Sequence, residues 1–298
     1  MPTAEPLAPR VVQLSDLVSD FITDTEAAAA ALASGRPRGP VTALASLDDA
    51  LGGFLAPGVH ILQAAPGAGK TALALQCAAR CEFPALFVSA EMGLLELFRR
   101  LIARETGTFL GKLKTGELGA REAMRLAVRT VEKVPSLALM DATRGHATPE
   151  MIRDAAEGLR SRTASAHVLI VVDSLQVWAR SARAAGGQVS AATEYDLINA
   201  ALDSVSDVAA DLACPVLAVS HRNRAGQKEG GLHAGKGSGD LEYMAETVID
   251  LQRERDAQPD ANGEVSVTIA IHKNRHGSPG VTFPVRFCGR LQEFREGR

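Results

Sequence analysis

A stretch of small residues between an apolar run and a helical pattern carries the clearest chemical signal in the chain. The stretch reads Ala65-Pro66-Gly67-Ala68-Gly69-Lys70-Thr71. Because Gly67 and Gly69 have no Cβ, backbone N–H groups beside them can approach an anion, and the following helix directs its positive end at the same place. Lys70 can then reach the β- and γ-phosphates of a nucleotide, and the Thr71 hydroxyl can bind Mg²⁺. Ala64 stands where this pattern usually opens with Gly, but the strand–loop–helix context is intact. We therefore predict a phosphate-binding loop rather than an ordinary glycine-rich turn.

Polar residues also end several other apolar runs of the chain. In chain order they are Glu91, Asp173 and His221, the last preceded by Ser220. In open parallel sheets, ligands bind beyond the carboxyl ends of the strands. The sequence therefore predicts that these residues and the phosphate-binding loop meet at one edge of a sheet.

Each of these residues has a chemical interpretation and a plainer alternative. Asp173 suits the Mg²⁺-associated carboxylate of nucleotide hydrolases, and the alternative is a carboxylate that caps the next helix. Glu91 is placed to polarise the attacking water as a general base, and the alternative is a solvated residue at a helix start. His221 can contact the γ-phosphate or relay its loss to the following loop, and the alternative is a locally bonded histidine.

Strands and helices alternate along the chain, which predicts an α/β fold with a mainly parallel central sheet flanked by helices. Strands are expected at about 59–63, 85–88, 137–140, 168–172, 216–219, 247–252, 265–272 and 281–287. Helices are expected at about 46–51, 70–81, 93–106, within 107–134, at 148–160 and at 194–213.

The N-terminal part has a different character. Apolar residues from Leu14 to Leu32 recur at helical spacing, and Gly and Pro residues follow at 35–40. We therefore divide the chain into residues 1–40, a tail with an amphipathic helix, and residues 41–298, a single domain. The spacing alone slightly favours packing of this helix on its own domain over docking on a neighbour.

Composition narrows the class of protein. The chain has 298 residues, 46% of them hydrophobic, and a net charge of −3, so no global charge favours nucleic acid. Its cysteines lack metal-site spacing and are typical of a reducing compartment: Cys77, Cys81, Cys214 and Cys288. The sequence has no signal segment and no long apolar run, so a cytoplasmic protein without a membrane partner is expected.

Motifs along residues 42–290 resemble, in order, those of DnaB-type replicative helicases. The phosphate-binding loop, with Ala64 at its start, is similar to that of the family, and the segment around Glu91 resembles the strand with the family's catalytic glutamate. The segment around Asp173 resembles its Walker B strand. The remaining similar segments are 215–224, 238–242 and 272–277.

This resemblance implies a RecA-like P-loop ATPase that uses ATP and Mg²⁺ and forms a hexameric ring with nucleotide between subunits. Lys273 and Arg275 would act on the neighbouring subunit's nucleotide, Arg275 as an arginine finger. Without the resemblance they would be a solvated charge pair on a hairpin. The resemblance also implies that the Leu14–Leu32 helix is a linker helix that docks on the adjacent subunit.

Two departures from the family pattern are visible. The chain has no room for the N-terminal collar domain of full-length replicative helicases, so a free-standing motor of plasmid or phage type is expected. His221 stands where the family usually has Gln, so coupling between hydrolysis and the DNA loop is expected to differ or to be lost.

Two segments rich in small residues are predicted to be loops that line the ring and contact the backbone of single-stranded DNA. Neither segment, 179–192 or 222–239, contains Phe, Tyr or Trp, so base stacking is not predicted, and a solvated basic loop is the alternative. The predicted DNA contacts are Arg180, Arg183, Arg222, Arg224, Lys228 and Lys236.

The sequence thus predicts an ATP-driven ring translocase or helicase on single-stranded DNA, with a loader or primase as a further partner left open. The alternatives are an ATP-gated assembly or regulatory ATPase of the RecA/KaiC type and a recombinase-like filament.

Overall fold

The computed structural model describes residues 11–185, 193–221, 243–254 and 257–297. It divides into one unit that ends at Arg38 and a second that begins at Gly39. In the first unit, a 3₁₀ turn at Leu14–Asp16 precedes helix α1, Leu17–Ser34. Gly35 ends this helix with a φ of 65°, a left-handed conformation that suits glycine. The predicted N-terminal helix is therefore confirmed.

Among the residues that the structure describes, the second unit is built on a nine-stranded sheet with strand order β3-β2-β4-β5-β1-β6-β7-β8-β9. The strands are β1 Gly58–Ala64, β2 Ala85–Ser89, β3 Leu137–Asp141, β4 Leu169–Asp173, β5 Pro215–His221, β6 Thr247–Gln252, β7 Glu264–Asn274, β8 Thr282–Cys288 and β9 Glu293–Glu296. The helices are α2 Ala45–Ala50, α3 Lys70–Arg80, α4 Leu94–Thr106, α5 Lys112–Thr115, α6 Ala120–Lys133, α7 Pro149–Thr163, α8 Leu175–Ala185 and α9 Glu194–Asp211.

Helices cover both faces of the parallel part of the sheet. One apolar layer joins α3 and α4 to the sheet, and the other joins α7, α8 and α9 to its opposite face. Every residue of β4 is buried, as expected for a continuous apolar run in a strand covered on both sides. This architecture confirms the predicted α/β fold with a mainly parallel sheet.

Strand register brings the carboxyl ends of the central strands together. Asp173 pairs with Ser89 on one side and with Val219 on the other, and Ala64 pairs with His221. The loops that follow β1, β2, β4 and β5 therefore leave the sheet at the same edge, where a ligand would bind.

The antiparallel part of the sheet reverses this direction. β7 runs antiparallel to β6, so that Asn274 pairs with Thr247, which itself pairs with His60. Residues that follow β7 consequently lie at the edge where β1 begins. That edge is opposite to the phosphate-binding loop.

One prediction of secondary structure was wrong, and one strand was missed. The segment 179–192 was expected to be a loop, but α8 extends to Ala185 because Leu175, Trp178 and Ala179 form a buried helical face that outweighs the small residues around it. Residues 186–192 of that segment lie outside the described residues. β9 was not predicted, since its four residues pair with β8 and offer little local pattern. The predicted loop at 222–239 lies outside the described residues.

Candidate functional site

A cleft of about 310 Å³ lies at the carboxyl edge of the parallel strands. Residues of the phosphate-binding loop line it together with Glu91, Asp173 and His221. The structure therefore brings together the residues that the sequence predicted to meet there.

Backbone geometry explains the glycines of the loop. Gly67 and Gly69 have φ values of 80° and 101°, a range that glycine adopts without a steric penalty. A Cβ at Gly69 would also lie only 2.8 Å from Cζ of Phe294. Phe294 stacks on Phe287 with ring centroids 4.5 Å apart, so an aromatic pair supports the loop. α3 starts at Lys70 and directs its N-terminal N–H groups into the cleft.

Lys70 is buried and held close to the loop backbone. Its Nζ donates to the carbonyl oxygens of Ala64 at 3.0 Å and Ala65 at 3.3 Å. Burial lowers the pKa of the Lys70 ammonium, and the charges of Asp173 and Glu91 oppose that change. The ammonium therefore lies where an anion in the cleft would meet it.

Asp173 is 2% exposed at the end of β4. The pKa of its carboxyl is raised to about 6, chiefly by burial; the hydrogen bond from the Thr71 side chain opposes this change, and the charge of Glu91 adds to it. Its Oδ2 is buried and has no hydrogen-bond partner among the described residues. An unpartnered carboxylate oxygen beside a threonine hydroxyl fits a hard divalent cation, which prefers oxygen ligands.

The rest of such a cation's ligands would come from outside these side chains. Within the described part of the chain, no group of three or more His, Cys, Asp or Glu side chains could hold a metal ion. Mg²⁺ typically binds one or two carboxylates and completes its shell with water and substrate phosphates.

Glu91 lies on the open side of the cleft. Its Oε2 accepts a hydrogen bond from the Ser174 hydroxyl at 3.0 Å, and Nε2 of His221 lies 3.4 Å from the same oxygen. The carboxylate is half-exposed. Residues at the ends of β4 and β5 thus contact Oε2 of Glu91, while the carboxylate remains accessible to water.

Gln176, in the first turn of α8, is a further buried residue of the site that the sequence did not single out. Its side-chain amide donates to the Ser220 hydroxyl at 2.7 Å and accepts from the backbone N–H of His221 at 3.2 Å. Gln176 therefore joins the end of β5 to the helix that follows Asp173.

Arg100 and Gln292 also line the cleft and were missed. Nη1 of Arg100 donates to Oε1 of Gln292 at 2.6 Å. The sequence does offer a signal for Arg100, because Arg100 lies between Leu97 and Leu101, two buried residues of α4. The sequence offers no such signal for Gln292, because this residue reaches the cleft only through the pairing of the last strands.

Lys273 and Arg275 lie away from the cleft, at the opposite edge of the sheet. Lys273 Nζ and Arg275 Nη2 both donate to the carbonyl oxygen of Tyr243, at 2.8 Å and 3.1 Å. Arg275 also forms an ion pair with Glu246. From His60, which is level with this edge, β1 extends about 13 Å before it reaches the phosphate-binding loop, at about 3.3 Å per residue.

The predicted nucleic-acid contacts are only partly described. Arg180 and Arg183 lie on α8 instead of in a loop, and Arg180 forms an exposed ion pair with Glu194 at 3.4 Å. The remaining predicted contacts lie outside the described residues: Arg222, Arg224, Lys228 and Lys236. Among the helices that the structure describes, none is long and apolar enough to cross a membrane.

Comparison with known proteins gives a consistent result. A family model described as the DnaB-like helicase C terminal domain matches residues 39–296. The replicative DNA helicase DnaB of Leifsonia xyli subsp. xyli (strain CTCB07) is 28% identical over 296 residues, which cover 93% of this chain and 62% of that protein. The chain therefore spans less than two thirds of this relative's length.

Solved structures show the same fold. The ATPase domain of G40P has a TM-score of 0.76 at 21% identity and covers 95% of this chain and 99% of its own. A DnaB-like replicative helicase, described together with its interactions with primase, has a TM-score of 0.75 at 19% identity, with 97% of this chain and 68% of that one covered. The predicted RecA-like core is confirmed.

Proposed function

Because the chain belongs to the DnaB-like helicase C-terminal domain family, we propose that it is an ATP-hydrolysing motor that moves along single-stranded DNA and unwinds duplex DNA. The observation that carries the proposal is the arrangement of Lys70, Asp173 and Glu91 around one cleft. This cleft combines an anion-binding loop, a carboxylate suited to a metal ion and a second carboxylate that is open to water.

In this proposal the phosphates of ATP bind the backbone N–H groups of the 65–71 loop, and the Lys70 ammonium donates to the β- and γ-phosphates. The Thr71 hydroxyl and the Asp173 carboxylate hold Mg²⁺, which when bound neutralises the charge that develops on the phosphates. Asp173 is ionised in that state, because a bound cation favours the charged carboxylate. Glu91 orients the attacking water and accepts its proton, and the bond from Ser174 fixes the carboxylate for this role.

His221 has a positioning role in the same proposal. Its imidazole lies beside the Glu91 oxygen that Ser174 also binds, and its backbone N–H is fixed by Gln176. A change at the γ-phosphate would therefore reach the end of β5, and with it the segment 222–239 that follows.

We further propose that the active form is a hexameric ring in which Lys273 and Arg275 act on the neighbouring subunit's nucleotide. Their position at the edge opposite to their own loop supports this assignment, because they cannot reach a nucleotide bound there. Arginine fingers of this kind raise the rate of nucleotide hydrolysis by about 10³–10⁵. The Leu14–Leu32 helix would link adjacent subunits.

Single-stranded DNA is the proposed track, and its phosphates are the proposed ligands of the basic residues. They would bind Arg180 and Arg183 on α8 and the cations of segment 222–239: Arg222, Arg224, Lys228 and Lys236. A primase is a candidate partner, because one structural neighbour is described with its interactions with primase.

The proposal is tested by measuring ATP hydrolysis with and without single-stranded DNA, together with unwinding of a forked duplex. Lys70→Ala is expected to abolish both activities, whereas Lys112→Ala, at an exposed position on α5, is expected to leave them unchanged. Hydrolysis that ignores DNA, combined with no unwinding, would contradict a helicase function.

A further inference from the structure

The finger pair, Lys273 and Arg275, is fixed by a cluster at the amino edge of the sheet. The carbonyl oxygen of Tyr243 accepts hydrogen bonds from both side chains. The Glu246 carboxylate binds Arg275 through Oε1 at 2.9 Å and faces His276 Nε2 through Oε2 at 3.0 Å. Lys273 and Arg275, which the proposed function assigns to the nucleotide of a neighbouring subunit, thus also have hydrogen-bond partners within their own chain.

Glu246 is itself firmly placed. Its backbone N–H donates to Val59 at 2.7 Å, and its carbonyl oxygen accepts from the N–H of Arg275 at 3.0 Å. Gly58 lies beside its side chain, with a φ of 124°, and a Cβ there would come within 2.5 Å of the Glu246 Cγ. The absence of a side chain at Gly58 makes the room in which the carboxylate lies, and the carboxylate is only 19% exposed.

We propose that Glu246 is a positioning residue that holds the Arg275 guanidinium in the orientation from which it engages the nucleotide of the adjacent subunit. This inference rests on the proposed function, which assigns Arg275 to that nucleotide.

The physical reason is preorganisation. An arginine side chain loses much rotamer freedom when it is ordered, and the Arg275 side chain is 51% exposed, so solvent alone would not fix it. Glu246 and Tyr243 use two of the five N–H groups of the guanidinium. The planar group is thereby oriented at one side and can still donate to an anion from the other.

Complementation in mixed rings tests the inference. Glu246→Ala should reduce kcat roughly 10- to 100-fold, the size of effect that a displaced catalytic group produces, and should leave the Kd for a fluorescent ATP analogue unchanged. Glu246→Gln keeps an acceptor for Arg275 without the charge and should retain an intermediate kcat. It is also isosteric, so it carries the test if the alanine variant does not fold.

The mixing pattern distinguishes a finger defect from a general one. Glu246→Ala has an intact phosphate site and a misplaced finger, so mixing it with Lys70→Ala, which has the opposite defect, should raise activity above that of either protein. Mixing Glu246→Ala with Arg275→Ala should not, because both lack a working finger. Glu150→Ala, which removes an exposed ion pair on α7, is the control and should match the wild type.

The outcomes separate this inference from the proposed function. Mixing Arg275→Ala with Lys70→Ala tests the trans finger itself, and no gain there would overturn the proposed arrangement and this inference with it. If that mixture gains activity, the inference is overturned by wild-type kcat in Glu246→Ala or by a gain when Glu246→Ala is mixed with Arg275→Ala.

Discussion

Replacing Asp173 with asparagine should make the protein more stable and less active. The pKa of the buried carboxyl is raised from 3.8 to about 6, chiefly by burial. The folded chain therefore holds this proton more tightly than the unfolded chain. As the pH rises from about 4 through about 6, the unfolded chain releases the proton first, and stability is lost.

The size of the loss follows from the shift. A change from 3.8 to about 6 corresponds to about 3 kcal/mol at about 1.36 kcal/mol per pH unit, all of it missing above pH 6. Asparagine does not titrate and avoids this cost, and its carbonyl can still accept from Thr71. Its amide adds a donor where Oδ2 has no partner among the described residues, which costs about 1–3 kcal/mol. The net gain at pH 8 is about 1 kcal/mol and at most about 2.

Thermal unfolding between pH 4 and pH 8, without nucleotide, measures this gain. Asp173→Asn should melt about 2–4 °C higher than the wild type at pH 8 for each kcal/mol gained, and the difference should vanish or reverse towards pH 4. MgATP should stabilise the wild type more than the variant, and the variant should not hydrolyse ATP. A difference in Tm that is equal at pH 4 and pH 8 would refute the assignment of this pH-dependent loss of stability to the Asp173 carboxyl.

Two further predictions concern the same cleft. Gly69→Ala should destabilise the protein by about 1–3 kcal/mol more than Gly116→Ala, since both residues have a positive φ but only Gly69 would press a Cβ on Phe294; equal changes in Tm would contradict this. His221→Ala should lower kcat roughly 3- to 10-fold, the value of one hydrogen bond, because it removes one of the two contacts to Oε2 of Glu91 and leaves the bond from Ser174. His221→Gln should restore most of the rate, and equal rates for the two variants would show that this contact is not used.

The fold and the centre of the site could be predicted because their signals are local. A continuous apolar run predicts a buried strand wherever it occurs, and β4 is an example. The phosphate-binding loop before Lys70 could be predicted because the glycines that shape its backbone lie within the loop itself. Placing Glu91, Asp173 and His221 in one cleft needed only the rule that parallel strands end at one edge.

The remaining parts depend on contacts between distant segments. Nothing in the sequence around Gln176 or Gln292 indicates a role in the site. Their hydrogen-bond partners come within reach only when β5 and the last strands are in place. The error at α8 was of a different kind, because Leu175 and Trp178 had the spacing of a helix. The small residues around them concealed a signal that was present.

That helix has a mechanical consequence. α8 starts two residues after Asp173, and Gln176 fixes its first turn to β5. At about 1.5 Å per residue, Arg183 lies about 12 Å along the axis from Leu175, so a tilt of about 10° would move it by about 2 Å. A flexible loop would absorb a small shift at the carboxylate, whereas a helix pivoted at one end acts as a lever and delivers that shift, enlarged, to its arginines.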